Sequence, residues 1–330
     1  MEVDIARELY ALADRDGVDQ DTKDMAESLA DYETTRTERS DRYSPDDVHP
    51  VDPEWQQLYD LATAEGGRLA KQQKIVICGM ARNIAGILPV TFRRLEQICQ
   101  QFGDYGIVVV ENDSEDETKS VLEAYRDADP EHVIVDCRDH GWQHLHGFEA
   151  QRVQRYATLR NRYREIARDA WPDADVVLCV DLDCWGGWSV PGLLNGLAWL
   201  DRKKAAGCMA SLSLFQHQFF AIGPKFGHYD TWALRRYGWT NRITIEKSLW
   251  LPPAGCEPIR VFSAFGAAAL YRPEAFYRCA YESIAGDIEH SGLHRAMAKA
   301  GWEIYLNPAQ RSLMLWLTEE QDATGKHDDH

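Results

Sequence analysis

Asp181 and Asp183 stand one residue apart at the end of an apolar run, Val176-Val177-Leu178-Cys179-Val180, and Cys184-Trp185-Gly186-Gly187-Trp188 follows at once. Side chains alternate along a strand, so both carboxylates project from the same side of its C-terminal end. Two carboxylates held that close repel unless a cation lies between them. Hard oxygen donors suit Mg²⁺ or Mn²⁺, and a Mg²⁺ site commonly combines one or two carboxylates with substrate phosphates. The pair therefore implies an enzyme that handles a nucleotide diphosphate.

Other strand ends carry polar groups too. Arg82-Asn83 follows the apolar run Lys74 to Met80, and Glu111-Asn112-Asp113-Ser114 follows Gly106 to Val110. The second cluster fits a solvated turn in which Asp116 or Thr118 caps the next helix. It also fits a strand tip where Glu111 or Asp113 hydrogen-bonds a nucleoside base or ribose, and the central position of the strand favours that reading. Arg152, Arg155, Arg160, Arg162, Arg164 and Arg168 crowd one helix. Such a face is ordinarily just solvated. This helix leads straight into the Asp181 strand, so Arg160 or Arg164 can reach a diphosphate or a strand-end carboxylate with its guanidinium fork.

Two later segments add candidates. His228-Tyr229-Asp230-Thr231-Trp232 mixes aromatic faces with a carboxylate, a combination that suits sugars, although an irregular core segment with a paired Asp230 fits equally. Asp287-Ile288-Glu289-His290 precedes a helical stretch. Asp287 suits a helix cap, Glu289 an acceptor-side or catalytic carboxylate, and His290 a contact to metal or phosphate. His294, one turn on, is expected to be structural.

The elements that must position these groups alternate. Strands are expected at 74–80, 106–111, 132–135 and 175–181, with helices at about 86–102, 118–126 and 151–170. This alternation predicts an α/β domain with a mostly parallel sheet flanked by helices, and ligands in such sheets bind at the C-terminal strand ends. The second half is less regular, with a strand at 209–214, a bent strand at 261–271, a helix at 287–300 and a strand at 303–306. Residues 1–70 read as an acidic, helical extension with helical spacing at 5–12 and 54–70. Residues 71–318 read as the catalytic body and 319–330 as an acidic flexible tail.

The net charge of −17 is concentrated at the ends, with −12 over residues 1–70 and −4 over 319–330, which leaves −1 for the body. No long basic run tracks a nucleic-acid backbone, which disfavours duplex DNA as a partner. The eight cysteines include no CxxC pair, so buried free thiols in a reducing cytosol are expected, Cys78, Cys137 and Cys179 among them. No run approaches the ~18–20 apolar residues of a membrane helix, and Met1-Glu2-Val3-Asp4 is unlike a signal peptide. These features point to a cytoplasmic protein.

Glu111-Asn112-Asp113-Ser114, Arg160-Asn161, Asp181-Leu182-Asp183, Tyr229 to Arg235 and Ser263-Ala264-Phe265-Gly266-Ala267 occur in an order that resembles the capsule-associated α-1,3-mannosyltransferase family of capsular fungi, within the GT-A glycosyltransferases. The likeness covers roughly residues 74–308, and no membrane anchor like that of the fungal members is expected in the chain. It implies a GT-A, Rossmann-like fold, a nucleotide-sugar donor such as GDP-mannose, a divalent metal (Mn²⁺ or Mg²⁺) on a DxD motif, and transfer to a hydroxyl acceptor such as a glycan with retention at the anomeric carbon. By the resemblance, Asp183 and Asp181 ligate the metal, and Arg82, Asn83, Glu111 and Asp113 line the nucleotide pocket. Gly266 and Ala267 lie near the donor sugar, Asp230 and Trp232 near the sugar or acceptor, and Glu289 on the acceptor side. Two other enzymes compete: a transferase acting on a modified nucleobase in DNA, and a sugar nucleotidyltransferase. The second needs a glycine-rich basic loop after its first strand, and Gly79-Met80-Ala81-Arg82-Asn83 matches it poorly.

Overall fold

The computed structural model describes residues 44–143, 145, 149–216, 226–236, 238–239, 245–284 and 287–314. The helix expected at 5–12 and the tail at 319–330 lie outside the described residues. Four parallel strands form one half of the sheet: β1 (Lys74–Ala81), β2 (Asp104–Glu111), β3 (Val133–Cys137) and β4 (Val176–Asp181), side by side in the order β3-β2-β1-β4. The apolar runs of β1, β2 and β4 are buried on both faces, as parallel strands covered by helices must be, whereas the edge strand β3 is mostly half-buried. Ile75 and Ile77 enter one core layer, while Val76 and Cys78 enter the other. The register sets the site: Ala81 pairs with Glu111 and Met80 with Asp181, so the polar residues after all three strands emerge at one edge.

Helices return the chain between these strands: α3 (Leu88–Cys99), α4 (Thr118–Ala128) and α5 (Ala150–Ala170). The second half of the sheet is mixed. β8 (Ala268–Tyr271) runs antiparallel between β4 and β5 (Ala206–Gln216), and β9 (Glu303–Met314) runs parallel to β5. The short β7 (Ile259–Val261) flanks β9, and β6 (Phe226–His228) flanks β5, giving nine described strands in one sheet. The bent strand expected at 261–271 is thus two strands. They are split by a turn in which Gly266 (φ +67°) and Ala267 (φ +61°) take left-handed backbone conformations that no strand accommodates. A helix not expected from the pattern, α6 (Val190–Arg202), starts on Ser189, whose hydroxyl accepts from the Gly192 N–H, with Pro191 in its first turn.

Residues 45–70 pack against this body. They form α1 (Pro45–Val48), a 3₁₀ turn at Pro53–Trp55 and α2 (Gln56–Ala70). Gly66 lets α2 lie directly on α6, because a Cβ there would fall 1.7 Å from the Leu194 carbonyl oxygen. Ala62 and Ala70 join the core. Arg311 on β9 is almost fully buried and holds the segment by donating to Asp46 and to the His49 carbonyl. The remaining short helices are α7 (Ile245–Ser248), α8 (Pro273–Arg278) and α9 (Glu289–Lys299). All eight cysteines are unpaired thiols, and Cys78 and Cys179 are buried as expected. Cys137 is exposed instead, because it ends the edge strand β3, which has a neighbour on one side only. Among the described residues no helix is long and apolar enough to cross a membrane.

Candidate active site

Leu182 carries the acidic edge. Its side chain turns into the core beneath Gly79 of β1, where a Cβ would sit 2.7 Å from it, and this leaves Asp181 and Asp183 on the opposite side. The turn is fixed on every side. The Asp181 N–H donates to the Ala267 carbonyl, Thr91 Oγ1 donates to the Leu182 carbonyl, and Arg94 donates to the Trp185 carbonyl. Both aspartates line a cavity of about 490 Å³ together with Arg82, Arg152, Arg155, Asp230, Trp232, Glu289 and His290.

The β1 and β2 tips brace each other. The Asn83 N–H donates to Ser114 Oγ and its side-chain oxygen accepts from the Glu115 N–H. Asp116 accepts from both Ala85 and Thr118 N–H groups, and Thr118 Oγ1 accepts from Ile84. Asn83 and Asp113 both adopt φ +52°, a conformation costly for a side chain and tolerated where the surroundings over-determine it. Glu111 is buried and accepts from the Ser114 N–H, and Asp113 accepts from the Gly141 N–H. Burial raises the Asp113 pKa, but hydrogen bonds from Asn112 and from the backbone at 140–142 outweigh it and hold the carboxyl below its usual range. Asn83, Glu111 and Asp113, expected to contact the nucleotide, therefore do not line the cavity. They hold the loops from which Arg82, Asn112 and Trp142 do.

Arg160, expected to reach a diphosphate or a strand-end carboxylate, contacts the carboxylate of Asp181. It is buried, and each nitrogen is engaged: Nε donates to Glu289 Oε1 at 2.9 Å, Nη1 to the Tyr163 hydroxyl at 3.1 Å and Nη2 to Asp181 Oδ1 at 3.3 Å. Its guanidinium carbon lies 5.0 Å from the Phe265 ring centroid and 5.9 Å from that of Tyr281. Arg164, the alternative, points away from the cavity and holds the Tyr277 carbonyl and Asn161. The helical period explains the split: residues 152, 155, 156, 159 and 160 of α5 share the face toward the cleft, and 164 falls beyond it.

Four carboxylates line the cavity, and Arg160 is shared by two of them. Burial drives the Asp181 pKa up to about 7, with Asp183 and Asp230 adding repulsion and Arg160 offsetting only part. Glu289 is raised by burial, again opposed by Arg160. Asp230 also serves the backbone: Oδ1 accepts from the Ala233 N–H and Oδ2 from the Gly266 N–H. Gly266 itself is set back from the cavity, packed so tightly that a Cβ would fall 2.0 Å from the Ser211 carbonyl oxygen. His290 stacks on Phe265 with ring centroids 4.0 Å apart, and burial keeps its pKa well below 6.5, so the imidazole is neutral. Asp287 bonds the Ile288 N–H and pairs with Arg235 at 2.5 Å. His294 is structural, its ring nitrogens met by Ser263 and Tyr271.

The same cavity carries cationic and aromatic side chains. Arg82 donates to the Trp142 carbonyl, and its buried Nε has no hydrogen-bond partner. Arg155 packs over Trp142 and Arg152 over Tyr156. The α5 arginine run signalled Arg152 and Arg155. Trp142 had no sequence signal, because its place depends on loop packing, and Phe265 was marked only as part of the 263–267 motif.

No family model and no curated protein matches the chain. Among solved structures it is similar to a mannosyltransferase from Pyrobaculum calidifontis in complex with GDP-Man and Mn²⁺, at 14% identity and TM-score 0.45 over 96% of this chain and 69% of that one. It is also similar to GalNAc-T7 with UDP, GalNAc and Mn²⁺, at 13% identity and TM-score 0.48 over 84% of this chain and 55% of that one. A third similar structure is S. aureus TarS 1-349, at 13% identity and TM-score 0.43 over 73% and 60% of the two chains. The chain spans just over half to about two thirds of the length of these structures.

Proposed function

We propose that this protein is a metal-dependent GT-A glycosyltransferase that moves a sugar from a nucleotide-diphosphate donor to a hydroxyl acceptor. The observation that carries the reading is the pairing of Asp181 and Asp183 at the C-terminal edge of a parallel sheet, on a cavity that four carboxylates and four arginines line together. The donor set fits a hard divalent ion. Asp181 is destabilised as an anion in this cleft, and among the described residues no group of three or more His, Cys, Asp and Glu can hold a metal by itself. Two carboxylates without a protein cage suit an ion that takes its remaining ligands from water and phosphate oxygens. Asp181 and Asp183 would hold Mn²⁺ or Mg²⁺. When bound, the ion supplies charge neutralisation at the departing diphosphate.

The chain's own residues supply the rest. Arg160 fixes Asp181 and Glu289 relative to each other across the cleft floor, and pre-organised groups of this kind act without reorganising during reaction. The arginines at 82, 152 and 155 suit phosphate oxygens, with the unpartnered Nε of Arg82 as the most direct donor. Asp230, Trp232 and Glu289 border the space proposed for the sugar and its acceptor. The motif order supports a GDP-linked hexose, mannose first, and a glycan hydroxyl as acceptor. A thermal-shift screen of GDP-, UDP- and other nucleotide sugars with Mn²⁺ tests this, because ligand binding raises stability by mass action. One nucleotide sugar should raise the melting temperature only when Mn²⁺ is present. No response to any nucleotide would overturn the assignment.

The raised Asp181 pKa sets a pH dependence. An ion must displace the proton that Asp181 carries below about pH 7. Mn²⁺ affinity should therefore fall about tenfold per pH unit below that point and level off above it, with one proton released per ion. Calorimetry in two buffers of different ionisation enthalpy reads both quantities. An affinity flat from pH 5.5 to 8 would count against Asp181 as a ligand.

A further inference from the structure

We propose that His290, with the free oxygen of Glu289, forms a subsite for two neighbouring hydroxyls of a sugar ring. This rests on reading the cavity as a nucleotide-sugar site. Both residues are 1% exposed, and both line the cavity. Glu289 Oε2 and both His290 ring nitrogens are buried with no hydrogen-bond partner. His290 Nε2 is 3.5 Å from Glu289 Oε1, without hydrogen-bond geometry, and that oxygen already serves Arg160. Buried polar atoms are rarely left unmet, because each has lost its hydration without a compensating bond. Three on one cavity wall mark where a ligand supplies the missing bonds.

The chemistry of the three atoms selects the ligand. Glu289 Oε2 accepts a hydrogen bond. A neutral imidazole donates from one nitrogen and accepts at the other. Together they match a group that both donates and accepts at adjacent positions, as a vicinal diol does. A phosphate only accepts, and the Glu289 carboxylate repels it. A second metal ion here would sit against the Arg160 guanidinium, which is 2.9 Å from Glu289 and disfavours positive charge on His290. A neutral hydroxyl meets neither obstacle. Stacking on Phe265 fixes the imidazole plane, so His290 discriminates by geometry as well as by hydrogen bonding.

The diol can belong to the transferred sugar or to the acceptor, and calorimetry separates the two. GDP, GDP-mannose, UDP and UDP-glucose are titrated with Mn²⁺ into the wild type, His290→Phe and His290→Gln. Methyl α-D-mannopyranoside is then titrated into each GDP–Mn²⁺ complex. Phe keeps the stacked ring and removes both nitrogens, whereas Gln keeps one donor and one acceptor. If the diol is the donor's, His290→Phe lowers nucleotide-sugar affinity about tenfold and leaves nucleotide affinity unchanged. If it is the acceptor's, the nucleotide-sugar affinities hold and the mannoside binds about tenfold more weakly. In either case His290→Gln recovers most of the loss, with both variants melting near the wild type. Equal loss of GDP or Mn²⁺ affinity would overturn the proposal in favour of a phosphate or metal contact, and no change in either arm would also overturn it. Should the wild type bind no nucleotide at all, the nucleotide-sugar reading itself fails, a result distinct from any His290 effect.

Discussion

Asp183→Asn should lower turnover with the active nucleotide sugar by at least about 1000-fold while leaving the melting temperature of the metal-free protein unchanged or slightly higher. The side chain lies at the cavity wall rather than in the core, and Leu182 beside it does the packing. Replacing the carboxylate removes one of the two side chains proposed to hold the metal on this edge. Losing a single pre-organised electrostatic group costs about 100- to 1000-fold in turnover, and an ion held by two carboxylates loses affinity besides. The amide relieves repulsion on Asp181, which Asp183 helps to destabilise as an anion. Initial rates over a range of Mn²⁺, with a melting curve for each protein, test this. A variant that kept normal turnover with EDTA present would show that Asp183 has no metal role.

Arg160→Met should act first on stability. Its guanidinium is the shared counter-ion of Asp181 and Glu289, and it lies between two aromatic rings with its donors engaged. Removing one partner of a buried ion pair leaves an uncompensated charge and costs about 3–5 kcal/mol. Here two carboxylates are orphaned together. Denaturant unfolding at pH 8 should show the full loss. The deficit should narrow at pH 5, where a carboxyl titrating near 7 is protonated and carries no charge to compensate. Loss of a diphosphate contact, the other role expected for Arg160, would instead mainly weaken donor binding. A variant with wild-type stability and weakened nucleotide binding would restore that view of Arg160 as a phosphate ligand.

The contrast shows what the chain's pattern makes legible. The parallel half of the sheet could be read because its strands are continuous apolar runs ending in polar residues, and a parallel register necessarily brings those ends to one edge. The mixed half was legible only in part: the strands expected at 209–214 and 303–306 fall within β5 and β9, but their pairing could not be read. β8 is four residues long, and its pairing with β4 and β5 depends on a turn at Gly266 and Ala267 that hydrophobic periodicity does not encode. At the site, residue type was a better guide than residue role. Asp181, Asp183, Asp230, Glu289, His290, Arg82 and Arg160 all reach the cavity, whereas Asn83, Glu111 and Asp113 support it from behind. A carboxylate at a strand tip can face a ligand or cap its neighbour's backbone, and only the backbone N–H groups around it decide. For Asp113 the decision is the Gly141 N–H at 2.7 Å. The Arg160 bridge joins residues 129 positions apart in the chain, a spacing that no local motif records.

The central claim is a divalent cation held between the Asp181–Asp183 edge and a diphosphate. Electron paramagnetic resonance of Mn²⁺ added to the protein with and without GDP or UDP tests it most directly, with phosphorus coupling read by double resonance. The expected result is a protein-bound Mn²⁺ signal that strengthens with nucleotide, carries ³¹P coupling and disappears in Asp183→Asn. Bound manganese with no phosphorus coupling, or a signal unchanged by that substitution, would contradict the account.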